Sequence, residues 1–180
     1  MPKRVRLIVL CEDDCHLAFA SAFLHKLALS SAPAPFFDRR GDKTQVFRAF
    51  PEQLTALRSR HAETRLIVIV DGDNLTDAQV LARLRKECRS AGLTMPDFAN
   101  DPVLVIIPRW EMENWALHLL GASIGEKRNQ NAKTLLNGRE RDAARALANH
   151  CRSGTLPKPA LPSMVKACED WQAFRQRWKL

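Results

Sequence analysis

The chain has no tyrosine, no internal repeat, and no apolar run near the roughly 20 residues that a membrane-spanning helix needs. Without tyrosine, chemistry that passes through a covalent tyrosyl phosphate is excluded. Without a long apolar run, a helical membrane protein is excluded. Cysteine is scarce and unpatterned: Cys11, Cys15, Cys88, Cys151 and Cys168 form an odd count without paired spacing. That argues against a disulfide framework and for a reducing compartment. The start, MPKRVRLIVLCEDD, is basic, but its apolar stretch is short and meets acids at once, unlike a secretory signal. A cytoplasmic protein with no membrane partner is expected.

What is present is a globular composition. The 180 residues are 46% hydrophobic and 27% charged, which fits one domain with a real core. The formal net charge is +8. Such a surplus favours polyanionic partners, because neutralising phosphates releases counterions.

Along the chain, apolar runs alternate with amphipathic stretches. Val5 to Cys11 reads as a strand covered on both faces. Leu17, Ala20, Phe23, Leu24 and Leu27 then recur at helical spacing behind Asp13 or Asp14 as cap. Pro33, Pro35 and Gly41 mark a loop, with a short strand beside Phe36 or Val46. FPEQLTALRSR predicts a helix with Pro51 early in it. Leu66 to Val70 is the clearest strand, followed by a helix capped near Asn74 or Thr76 and stopped by Gly92. DPVLVIIP is a further buried strand, and RWEMENWALHLLG a helix ending at Gly121. Strand and helix in alternation imply a parallel sheet with right-handed crossovers and helices on both faces.

From about Ile124 no strand appears, and NGRERDAARALANHCR and SMVKACEDWQAFRQRWK predict helices around a proline-rich connection. Residues 1–122 therefore read as an α/β domain and 123–180 as a helical extension packed on it. Trp171 and Trp178, seven residues apart, suit a packing face.

Three strands end in acids: Glu12, Asp13 and Asp14 after the first, Asp71 and Asp73 after the central one, Glu111 and Glu113 after the last. The carboxyl ends of parallel strands form the functional edge of such sheets. If the strand persists through Gly72, Asp71 and Asp73 point to one side, and Glu12 completes a set of three carboxylates. Crowded carboxylates raise each other's pKa. A hard divalent cation relieves the conflict, and oxygen-only ligands favour Mg²⁺ or Mn²⁺ over zinc. Taken singly, these acids also suit turns and helix caps. Cys11, Cys15 and His16 lie close together, but without a second ligand pair they read as buried core groups.

Glu12 in VLCEDD with Asp71 and Asp73 in VIVDGDN resembles the TOPRIM domain of topoisomerases, bacterial primases and OLD-family nucleases. The resemblance spans roughly Val5 to Leu120. IPRWEMENWALHLLG is similar to the Glu-x-Trp segment of small stand-alone bacterial TOPRIM-like proteins, which aligns Glu113 and Trp115 and favours Glu113 over Glu111. The resemblance implies a Rossmann-like parallel sheet flanked by helices. It also implies Mg²⁺ or Mn²⁺ at Glu12, Asp71 and Asp73, and hydrolysis of DNA or RNA phosphodiesters, with Glu113 assisting. The family's glycine after the first glutamate is Asp13 here. By analogy with the family, a protein partner such as an ATPase, in a defence or repair system, is also expected.

Two other readings share these residues. A non-catalytic TOPRIM-like module would bind nucleic acid or a partner without cutting. A phospho-receiver would take a phosphoryl group on Asp71, but it also wants a Ser/Thr and a Lys before proline at later strand ends, and VIIPRW supplies neither. Arg39, Arg40 and Lys43 in the Gly41 loop, and Lys127, Arg128 and Lys133 further on, are candidate phosphate contacts. Arg109, beside the acids, is the best placed.

Overall fold

The computed structural model describes residues 5–29, 34–59 and 63–180. The basic start of the chain, the loop expected at Pro33 and the helix end expected at Arg60 lie outside these residues. Four strands and seven helices follow in order: β1 (Arg6–Cys11), α1 (Asp14–Lys26), β2 (Phe36–Arg39), α2 (Lys43–Ser59), β3 (Thr64–Ile69), α3 (Asp77–Ser90), β4 (Val103–Ile106), α4 (Met112–Leu119), α5 (Ala132–Leu136), α6 (Glu140–Ser153) and α7 (Pro162–Trp178). The strands form one parallel sheet in the order β2-β1-β3-β4. This is the expected Rossmann-like α/β sheet with a helical C-terminal extension.

The sheet divides the core into two layers. Leu7, Val9, Cys11, Ile67 and Ile69 face α1, α4, α6 and α7. Ile8, Leu10, Leu66, Val68 and Val70 face α2 and α3. Every residue of β3 is buried, which is why its sequence from Leu66 onward is an unbroken apolar run rather than an alternating one. The extension is part of the first layer. Ala143, Ala144, Leu147 and Ala148 of α6 and Met164, Trp171 and Phe174 of α7 share the cluster with Phe19 and Ala20 of α1. Trp171 meets Phe23 edge-on, with ring centroids 5.3 Å apart.

Local signals set most element ends. Asp13 caps α1 by accepting from the His16 amide at 3.1 Å. Thr76 and Gln79 form a reciprocal capping box at α3. Three expectations need correction. First, α2 starts at Lys43, so Val46 is helical and Pro51 sits in the middle of the helix. The proline removes one helical hydrogen bond at a cost of about 3 kcal/mol. Val46, Phe50 and Leu54 are completely buried on the same helix, each contributing about 1.5–3 kcal/mol, and together they outweigh it. Second, Cys151 of α6 and Cys168 of α7 are joined by a disulfide with Cα atoms 5.3 Å apart. Helix packing brings together two cysteines whose spacing carries no pairing signal, so the cysteine count does not support a reducing compartment. Third, the chain does not remain extended through Asp73, as described below.

The connections place a crevice. From β1 the chain moves to β2 on one side, and from β2 it crosses over to β3 on the other side of β1. The carboxyl ends of β1 and β3 therefore flank the point where the winding reverses, which is where open parallel sheets carry their sites. Register aligns those ends, with Cys11 opposite Ile69 and Ile69 opposite Ile106. Among the described residues, no helix is long and apolar enough to cross a membrane.

Candidate metal centre

Glu12 follows β1 directly and Asp71 lies two residues beyond β3. They meet across the crevice: the Asp71 amide donates to Glu12 Oε1 at 2.6 Å. Asp71, 8% exposed, uses Oδ1 twice. It accepts from the Met112 amide at the start of α4 at 3.0 Å, and it faces His16 Nε2 at 3.1 Å. The other ring nitrogen, Nδ1, lies 2.9 Å from Asp13 Oδ1. His16 is thus held between two carboxylates with 1% exposure.

Both imidazole nitrogens can donate only in the protonated ring. Burial pulls the His16 pKa down, but Asp71, the hydrogen bond donated to Asp13, and Glu12 outweigh it and raise it well above the ordinary value. The same contact, led by the His16 hydrogen bond, holds Asp13 down at about 2. Glu12 behaves oppositely. Burial, and then the Asp71 charge, push it up to about 7 despite His16 and Lys43.

Glu12, His16 and Asp71 each bring one ligating atom within 4.8 Å of the others, a grouping that can hold a metal ion. The hydrogen bonds divide it further. Both His16 nitrogens already face carboxylates, so the donors open to a cation are carboxylate oxygens. The penalty on ionised Glu12 is one that a cation removes. The residues fit a hard divalent ion.

Asp73 lies elsewhere. The chain runs beside the β4–α4 loop through hydrogen bonds from Val70 to Ile106 (3.1 Å), Gly72 to Pro108 (2.8 Å) and Asp73 to Trp110 (3.0 Å). It then turns, with Asp73 at φ +49°. The half-exposed Asp73 carboxylate pairs with Lys43 at the start of α2, and it is not in the Glu12–His16–Asp71 group. Gly72 is needed for the close approach: a Cβ there would lie 2.7 Å from the Arg109 carbonyl oxygen and 3.0 Å from that of Pro108.

Glu113, in the first turn of α4, is 7% exposed. Burial first, then Asp71 and Asp13, raise its pKa. Glu111 is less buried and caps α4 without a side-chain bond. Burial, Asp71 and Asp73 raise it, and Arg128 opposes them. Arg109 Nη1 donates to the Leu75 carbonyl at 2.8 Å, pinning the turn after Asp73. Arg39 reaches Asp14 at 3.2 Å on the surface. Arg40 bridges Asp38 (2.6 Å) and Glu52 (3.3 Å). Cys11, Cys15 and Cys88 are free and buried. Burial and nearby acids raise Cys11 to about 12 and Cys15 well above its usual value, so these thiols stay protonated and are poor ligands.

The sequence reading gave no role to His16 or Asp13 at the site. Their signal is local, a histidine three residues after a helix-capping aspartate. The partner that gives it meaning is Asp71.

No family model and no curated protein matches the chain. It is similar to a solved structure, the C-terminal region of the Burkholderia pseudomallei OLD protein. The two are 14% identical, the likeness covers 97% of this chain and 98% of that one, and the TM-score is 0.48. A likeness that distant assigns no residue a role, so the site rests on its own geometry.

Proposed function

We propose that this chain is a TOPRIM-like, metal-dependent phosphodiesterase acting on nucleic acid. The observation that carries the reading is the meeting of Glu12 and Asp71 at the reversal point of the parallel sheet, with His16 and Asp13 behind them. Glu12 and Asp71 would hold Mg²⁺ or Mn²⁺, with Asp73 and Glu113 at the margin. Such an ion supplies Lewis-acid polarisation of a phosphoryl oxygen and acidifies a coordinated water.

The remaining work falls to the protein. His16, hydrogen-bonded to Asp71 Oδ1, fixes that carboxylate and limits the repulsion between it and Glu12. The Met112 amide adds a second anchor from α4. Glu12 is pushed up to about 7 in the metal-free crevice, and a bound cation would hold it ionised as a ligand. Lys43, Arg39, Arg40 and Arg109 ring the edge as candidate phosphate contacts, and the net charge of +8 favours the approach of a polyanion. The same reading extends to work beside a partner such as an ATPase.

The test is cleavage of single- and double-stranded DNA and RNA with Mg²⁺ or Mn²⁺, together with calorimetric metal binding, for the wild type and for Asp71→Asn combined with Asp73→Asn. Loss of both cleavage and binding is expected. If the double variant keeps wild-type cleavage and affinity, the assignment is wrong. A wild type that binds the metal and nucleic acid but cuts nothing would favour the non-catalytic module.

A further inference from the structure

The four tryptophans do not share one role. Trp115 and Trp171 are 2% and 3% exposed in the first core layer, and Trp178 packs against the same layer. Trp110 is partly exposed and packs in neither layer. It sits in the β4–α4 loop between Arg109 and Glu111, and its carbonyl accepts from the Asp73 amide at 3.0 Å. Trp110 thus stands beside the carboxylate crevice through its backbone, and its indole is no part of the core.

The loop carrying it is held on several sides. Pro108 accepts from the Gly72 amide at 2.8 Å. The Arg109 amide donates to Ser163 Oγ of α7 at 3.3 Å, and the same hydroxyl accepts from Trp115 Nε1 at 2.8 Å. The Arg109 side chain is tied to Leu75. A flat apolar ring on a rigid backbone loses little freedom when something stacks on it. Lys43, paired with Asp73, and Arg128, close enough to Glu111 to lower its pKa, bring cations from two other segments toward the acids on either side of the loop.

We infer that Trp110 is a stacking platform for an unpaired nucleobase, which makes single-stranded nucleic acid the preferred substrate class. The inference rests on the proposed phosphodiesterase reading. A base stacked on Trp110 brings its own phosphate to the crevice beside Asp71. Inside a duplex the bases are stacked on each other, so only the two end pairs offer a free face to the indole, whereas every unpaired base does.

The experiment measures fluorescence anisotropy of a labelled short single strand and of the matching blunt duplex, in Ca²⁺, for wild type, Trp110→Ala and Trp110→Phe, with thermal melts alongside. Trp110→Ala is expected to weaken single-strand binding about 5- to 150-fold, to change duplex binding by less than about twofold, and to melt like the wild type. Trp110→Phe is expected to recover most of the loss. Equal loss for strand and duplex, or a large drop in melting temperature, would show a packing role and overturn the inference. If the wild type binds and cuts while Trp110→Ala binds single strands unchanged, the platform alone is overturned. A wild type that binds neither oligonucleotide overturns the platform together with the phosphodiesterase reading.

Discussion

Gly72→Ala is the sharpest single perturbation of the crevice. The new Cβ would stand 2.7 Å from the Arg109 carbonyl oxygen and 3.0 Å from that of Pro108. Carbon reaches its attractive minimum near 3.5–4.0 Å, so the two loops must part by roughly 0.5–1 Å. Both obstacles are backbone, and the Gly72 amide is itself bonded to Pro108, so no side chain can swing away to make room. Overpacking of this kind costs about 1–3 kcal/mol. Alanine returns about 0.4–1 kcal/mol by stiffening the unfolded chain. The expected net loss is about 0–2.6 kcal/mol, read by urea unfolding without metal. The displaced β3–α3 loop also carries Asp71 away from Met112 and His16, and a shift of about 1 Å can cost roughly 100-fold in rate. Mn²⁺ affinity and any cleavage should therefore fall by more than stability alone explains. Gly125→Ala is the control: nothing lies within 4 Å of a Cβ there, so it should stay within about 0.5 kcal/mol of wild type. A Gly72→Ala protein matching wild type in both stability and Mn²⁺ affinity would refute the close approach and the coupling of the two loops.

Three further predictions concern ionisation. The Glu12 pKa of about 7 lies above its ordinary 4.5, so in the metal-free protein its contribution is fully present below pH 4.5 and lost as pH rises through 7. Glu12→Gln keeps the oxygen that accepts from Asp71 and should stabilise the metal-free protein at pH 8 by about 2–3 kcal/mol, measured by urea unfolding. The same proton must leave before a cation binds, so wild-type Mn²⁺ affinity should fall about tenfold per pH unit below 7; a flat calorimetric profile from pH 5 to 8 would sink this. His16→Ala removes the cation between Asp13 and Asp71 and should cost about 3–5 kcal/mol at pH 6. Because the His16 pKa is raised, its stabilisation is present below the ordinary value near 6.5 and declines as pH climbs through the raised one. A variant as stable as wild type at pH 6 would show that the ring between the two carboxylates contributes nothing net to the fold.

Much of the frame was legible in the sequence because the physics is local. An unbroken apolar run such as Leu66 to Val70 has few uses other than a strand covered on both faces, and Thr76 and Gly92 carry their own cap and stop signals. Glu12 and Asp71 were legible as site candidates because each ends a buried apolar run. The rest depends on distant neighbours. His16 occupies a buried helical position that any core residue could fill, and its charge is decided by an aspartate 55 residues away. The turn at Asp73 depends on carbonyls of the β4–α4 loop, and pairing of Cys151 with Cys168 on how α6 and α7 pack. Pro51 reads as a helix start until the burial of α2 is known to exceed its cost.

The histidine held between Asp13 and Asp71 also sets a valence for the crevice. One imidazolium set against Asp13, Asp71 and ionised Glu12 leaves a negative surplus that a single divalent ion would cancel when Glu113 beside them is protonated. Sodium or potassium would leave part of it standing, and a trivalent ion would overshoot. Asp73 stays out of this balance because Lys43 already neutralises it. On the proposed reading, total charge as well as donor type would favour a divalent ion, through an imidazolium that need not touch it.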